Sequence, residues 1–258
     1  MKLYLKYISI HMKSIMQYKT SFFLTSLGQF LVSFNVFLGV YFMFLLVPSV
    51  KDYTFADVLL CFSIILMQFA LAECFARGFD GFSAIISSGE FDRIMVRPRN
   101  DIIQVLGSRF EFTRIGRMIQ AVIMFVYGIY KSNLEWNLSR VLVIVFMIIG
   151  GFAVFCGLFL IYAALCFFTT QGLEFMNIFT DGAREFGKYP VNVYGKGVLI
   201  FCTYIIPFAL FQYYPLLYLL DKTTNRVNIF LPLVSTLFLI PCFILWKVGL
   251  KHYKSTGS

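Results

Sequence analysis

A helix that crosses the hydrocarbon core of a bilayer needs roughly 20 apolar residues at about 1.5 Å rise each. This chain holds six stretches near that length: 21–47, 55–75, 115–130, 141–168, 197–220 and 229–246. No other feature restricts the fold as strongly. With 59% hydrophobic residues, 32 Phe and 15 Tyr among 258 residues, and a mean hydropathy of +0.79, the chain has far more apolar surface than one soluble core can bury. A soluble helical protein would show amphipathic stripes, not long runs apolar on every side. The expected fold is therefore all-α, a polytopic membrane protein with six transmembrane helices. The third run is short because Arg114 and Arg117 crowd its start, so its helix should begin earlier and project into water. The fifth and sixth carry Pro207, Pro215, Pro232 and Pro241, which remove backbone donors and kink or break a helix. The fifth reads as a full span only to about Pro207, and 208–220 as a broken or re-entrant segment near the outer surface.

Basic residues then set an orientation. With the amino terminus inside, seventeen of the 22 Lys and Arg fall on inner segments, including Arg77 to Arg117, Arg184, Lys188 and Lys196. The outer segments hold five: Lys51, Lys131, Arg140, Lys222 and Arg226. Loops this short obey the positive-inside rule, so both termini are expected in the cytoplasm. The net charge of +9 follows from this asymmetry and from attraction to anionic inner-leaflet lipids, and needs no nucleic-acid partner. The first twenty residues are not read as a signal peptide, since no small-residue cleavage pattern follows them. They form an amphipathic, interfacial helix over 1–20: Tyr4, Tyr7, Ile8, Met12 and Ile15 recur at helical spacing, and Lys2, Lys6, Lys13 and Gln17 share another side.

Residues for chemistry are few. Cys61, Cys74, Cys156, Cys166, Cys202 and Cys242 all sit in apolar runs with no C-x-x-C pair, and read as small hydrophobes. His11 and His252 lie at opposite ends of the chain, which leaves no histidine cluster for a metal or a proton relay. "GAREFGKY", ending at Tyr189, fits the G-x-x-x-x-G-K core of a phosphate loop. Tyr189 stands where a magnesium-binding Ser or Thr belongs, and no strand is expected before it, so the motif reads as a cytoplasmic turn leading into the fifth span. Among ionisable residues in the spans, Asp57, Glu73 and Glu174 lie near span ends, and Glu73 is expected to be hydrated or paired with a nearby Arg such as Arg77, four residues on. Gln29, Asn35, Gln68 and Gln120 read as interhelical hydrogen bonders. No catalytic, metal-binding or cofactor-binding residue is assigned.

Against this background "SGEFDRIMVRPRN", residues 88–100, is anomalous, since only 14% of the chain is charged and this segment gathers Glu90, Asp92, Arg93, Arg97 and Arg99. The simplest physical account is a docking element between the second and third spans. The alternative for the whole chain is a channel-like or scaffold membrane protein acting without ATP. A proton-driven secondary transporter is disfavoured by the lack of central ionisable residues.

The stretch "SSGEFDRIMVRPRNDIIQVLGSRF" resembles a bacterial permease family within the type 2 ABC exporter superfamily, in which G-E-x-D followed by R-P marks this segment. "REFGKYPVNVYGKGVLIFCTYIIPFALFQYYPLLYLL" looks like the family's YP element and Pro-bearing fifth span, and "GLKHYKSTGS" is similar to its carboxyl terminus. Arg99 departs from the family, which often has an uncharged residue after the proline.

The resemblance implies a transmembrane domain over 21–258, with a cytoplasmic coupling segment over 76–114 and a re-entrant element before the last span. It implies a permease subunit of an ATP-driven exporter in the bacterial cytoplasmic membrane. The subunit would pair with a second permease, identical or related, and with two copies of a separate ATPase subunit. ATP and magnesium would then belong to that partner, with no cofactor on this chain. The ATPase contact falls on Gly89, Glu90, Phe91, Asp92, Arg93, Arg97 and Pro98, with Phe91 expected to fill an apolar groove on the ATPase while Glu90, Asp92 and Arg93 pair at its rim. The substrate is not named by the sequence; a lipid, a peptide or a drug of amphipathic character suits such a permease.

Overall fold

The computed structural model describes residues 2–132, 134–169 and 174–255; the last three residues of the resembling carboxyl terminus lie outside them. The described residues are mostly helical, with no strand among them beyond one isolated bridge between Val50 and Tyr53. Four long helices form the frame: α2 (Lys19–Leu46), α3 (Phe55–Asp80), α7 (Ile115–Lys131) and α8 (Leu138–Thr169), preceded by α1 (Lys2–Ile15). Between α3 and α7 come three short helices, α4 (Phe82–Ser87), α5 (Glu90–Met95) and α6 (Asp101–Leu106). After α8 follow α9 (Asp181–Phe186), α10 (Lys196–Tyr204), α11 (Tyr214–Leu219), α12 (Leu231–Ser235) and α13 (Leu239–His252). Among the described residues, five helices are long and apolar enough to cross a membrane, or six if the bent pair α10 and 209–219 is one span.

The centre is α3. It packs against α7 on one side and α8 on the other, α2 lies outside α7 and α13 outside α8, and almost all of α3 is buried. By contrast α2 keeps most of its side chains exposed, which is normal where the solvent is lipid. Two of the crossings are so close that only glycine fits. A Cβ on Gly116 of α7 would lie 1.8 Å from the carbonyl oxygen of Ser26 on α2, and one on Gly249 of α13 would lie 2.6 Å from the ring of Phe167 on α8. Small residues that let backbones approach are the usual adhesive between helices in lipid. Gln68 adds to this by donating its side-chain N–H to the Met147 carbonyl at 2.8 Å, as expected. Asn35 instead sits on the exposed face of α2.

The chain leaves helical geometry at Tyr18 (φ −114°, ψ 59°). The contacts show how far it turns. Tyr4 donates its hydroxyl to the Phe75 carbonyl at 2.7 Å, while Gln29 accepts from Arg117, which also holds Glu73 two residues before Phe75. In one straight helix Tyr4 and Gln29 would stand about 37 Å apart. α1 therefore turns off the line of α2 and lies against 107–110, where Tyr7 meets Gly107 and Tyr4 and His11 pack on Phe110.

Two expectations are corrected. α10 has nine residues, about 14 Å of helix, too short for the full span read up to Pro207. After Pro207 the chain bends by 98° into 209–219, which agrees with the re-entrant reading of that piece. The crossing is made earlier and irregularly. Arg184 stacks over Phe69 of α3, the Gly187 carbonyl accepts from the Cys61 thiol, Lys188 stacks over Phe62, and Lys51 donates to the carbonyls of Asn192 and Val193. From Arg184 to Val193 the chain thus climbs α3 to the opposite end of the bundle. "GAREFGKY" is part of this climb and not a turn at the coupling end. Arg184, Lys188 and Lys196 accordingly leave the majority side of the charge split.

Candidate coupling site

The charged segment 88–100 begins with a backbone requirement. Gly89 ends the turn after α4 in the left-handed region (φ 72°), which a side chain would strain, and this turn redirects the chain into α5. On α5, Phe91 and Ile94 are three residues apart and share a face. Both are buried. Phe91 is 0% exposed and packs against Phe82 (centroids 5.1 Å apart), Phe167 (5.2 Å), Tyr253 (5.1 Å) and Trp246 (6.3 Å). One ring therefore joins α4, α5, α8 and α13.

Polar contacts close the same knot. Asp92 accepts from the hydroxyls of Tyr253 at 3.0 Å and Ser255 at 2.5 Å, and Trp246 donates its indole N–H to Asp101 at 2.8 Å. Burial, and after it the Asp92 carboxylate, push the Tyr253 phenol up to about 12, so it donates throughout the neutral range. Gln104 donates to the carbonyls of Ile94 and Arg99, both at 3.2 Å, and Asn100 caps α6 by accepting from the Ile103 N–H. The segment 88–106 is thus fastened to the last span at two carboxylates and one aromatic cluster.

This placement corrects the role expected for Phe91. A side chain enclosed by four aromatic rings of its own chain cannot also fill a groove on another protein. Asp92 likewise is occupied by the carboxyl-terminal segment. What the segment does present outward is Glu90, Arg93, Met95, Val96, Arg97 and Pro98. Val96 is 86% exposed and Met95 43%, and Glu90, Arg93 and Arg97 make no ion pair among the described residues. Met95 and Val96 are not among the residues singled out from the sequence. The signal was available in the spacing: with Phe91 and Ile94 turned inward, Val96 must turn out.

A second cluster gathers on α3 around Glu73. Glu73, 2% exposed, receives Arg117 of α7 in a direct ion pair, Arg114 at 3.3 Å and its own neighbour Arg77 at 3.5 Å. Arg117 also donates to Gln29 of α2 at 2.9 Å, and its guanidinium stands over the Phe69 ring. Arg77 reaches on to Asp80 at 3.1 Å. The pairing of Glu73 with Arg77 was legible; the larger share of Arg117 was not, because 44 residues separate them. Lys188 of the phosphate-loop look-alike is paired with Glu185, and among the described residues no group of His, Cys, Asp or Glu is placed to hold a metal.

A membrane-embedded helical bundle with its charged segment packed onto the last span is the setting for the comparison with known families. The model of the ABC-2 family transporter proteins matches residues 30–257. The chain belongs to this family. It is a type 2 ABC permease, a multi-pass membrane component of an ABC transporter, and such permeases associate with an ABC ATPase. No curated protein and no solved structure matches the chain.

Proposed function

We propose that this permease forms half of the substrate pathway of an ATP-driven exporter, and that the separate ATPase docks on the outward face of 88–98. The observation that supports this most is the contrast within that segment. Its inner side is locked to three helices, while its outer side carries a nearly bare Val96 together with exposed Glu90, Arg93 and Arg97, which make no ion pair among the described residues. An exposed apolar residue rimmed by charges is the anatomy of an interface centre. Gly89 and Pro98 bound the surface, and Asp92 holds it from behind. Two ATPase copies and a second permease, identical or related, complete the assembly, with ATP and magnesium on the ATPase and no cofactor here.

In this reading closure of the ATPase dimer pushes on a rigid element, and the push is delivered through Phe91, Trp246 and Asp101 to α13 and α8. Such coupling needs packed contacts with two arrangements and no chemistry on this chain. Both termini lie on the ATPase side, in the cytoplasm of a bacterium. The test is co-purification of the ATPase with the variants Val96→Asp and Glu90→Arg. Both should fold and insert, and each should lose most of the bound ATPase, a loss of about 2 kcal/mol or more for a hot-spot position. Unchanged co-purification with both variants would remove the docking role.

A further inference from the structure

Beside the irregular crossing lies a cavity of about 270 Å³, room for about nine water molecules by volume. Phe179, Phe186, Val198, Phe201, Cys202 and Phe208 line it. It exists because two regular elements are missing there. The chain passes 174–194 in short helical pieces instead of one long helix, and the bend after α10 leaves a wedge between that helix and the re-entrant piece. Gly187 closes the back against α3 so tightly that a Cβ would lie 1.9 Å from the end of Ile65.

The wall determines what can enter. No charged residue lines it. Gln212 commits its amide N–H to the Gly187 carbonyl at 2.6 Å, and Tyr194 commits its hydroxyl to the Phe186 carbonyl at 3.0 Å. A polar ligand would therefore be desolvated with no donor from these side chains to receive it, which is costly. The mouth is equally informative. Phe186, Val198 and Phe201 are partly exposed there and continue into exposed Ile200 and Ile205. Its depth is fixed by its neighbours: Gly187 touches Cys61 and Ile65 of α3, and Phe208 meets Phe155 near the middle of α8. At that level a membrane protein is bathed in hydrocarbon.

We propose that this cavity is a binding site for a single hydrocarbon chain, entering sideways from the bilayer. The ligand is the apolar tail of an amphipathic molecule, either a resident lipid or the transported cargo, with its polar head outside the cavity. The inference needs only the membrane placement of the chain and not its coupling to ATP.

The test uses the full-length protein in phosphatidylcholine vesicles that contain a phosphatidylcholine with a photoreactive diazirine in one acyl chain. Labelled positions are mapped by mass spectrometry. Phe42 and Leu45 on the exposed face of α2 serve as the reference for general lipid contact. Labelling at Phe179, Phe201 and Cys202 should exceed that reference severalfold, and Cys202→Trp, which fills the cavity, should bring it down to the reference while leaving α2 unchanged. Should that variant fail to fold, Val198→Trp at the half-open mouth makes the same comparison. With ATP and the ATPase added, constant labelling identifies a resident lipid and a fall during turnover identifies cargo. Labelling no greater than that of α2, or unaffected by both substitutions, would overturn the site.

Discussion

The knot beneath the docking segment and the charged cluster on α3 are both buried, yet they are held by opposite means. Around Phe91 five aromatic rings, Phe82, Phe91, Phe167, Trp246 and Tyr253, meet at centroid distances of 4.9 to 6.3 Å. Edge-to-face pairs of this kind contribute about 0.5–1.5 kcal/mol each beyond the area they bury. Around Glu73 the binding is ionic: one carboxylate, three guanidiniums and an amide drawn from α2, α3, α7 and the turn before α7. The backbone opposite them, 174–194, is broken into short helical pieces, none longer than six residues. Aromatic packing tolerates little rearrangement, because any shift opens voids. An ionic network facing irregular backbone can exchange partners, and such backbone at membrane depth is tolerated only where protein or water surrounds it. The knot is the rigid element of the two, and the ionic cluster the more adaptable one.

The largest effect is expected from removing the shared carboxylate. Glu73→Gln leaves Arg117 and Arg114 without their counter-ion in a buried site and should cost about 3–5 kcal/mol, read as a lower melting temperature of the solubilised protein and less protein in the membrane. Phe91→Ala empties the centre of the knot and should cost about 3–4 kcal/mol, with the docking segment becoming sensitive to protease. If it instead melted like the unchanged protein, the knot would not be the rigid element. Gly116→Ala forces α2 and α7 apart and should cost about 1–3 kcal/mol, seen as a downward melting shift. Asp92→Asn is the mildest. It weakens the hold on Tyr253 and Ser255 by about 1 kcal/mol, and faster trimming of the carboxyl-terminal tail by carboxypeptidase is the expected readout.

Much of the frame was legible because its signals are local. The runs at 21–47, 55–75, 115–130 and 141–168 correspond to α2, α3, α7 and α8 within a few residues at most ends, since mean hydropathy over a helix length needs no tertiary information. The bend at Pro207 was legible for the same reason. The crossing over 174–194 was not. It contains Asp181, Arg184, Glu185 and Lys188, a composition that belongs in water unless α3 supplies Phe62 and Phe69 as faces for the cations, and those rings lie more than 100 residues away. The docking segment shows the same division. Its charge and its Gly89 turn could be read directly, but the fate of Phe91 depended on Phe167 and Trp246, which only the folded chain brings to it.

Phe91 belongs to the core of this chain, and in the proposed docking mode Met95 and Val96 meet the ATPase. Hydroxyl-radical footprinting of the unaltered protein tests this claim most directly, with oxidation scored residue by residue over 88–100, in the free permease and in complex with the ATPase. Met95 and Val96 should be oxidised in the free chain and protected in the complex, while Phe91 and Ile94 stay unmodified in both. Oxidation of Phe91 in the free chain, with protection on binding the ATPase, would contradict the claim and return that ring to the interface.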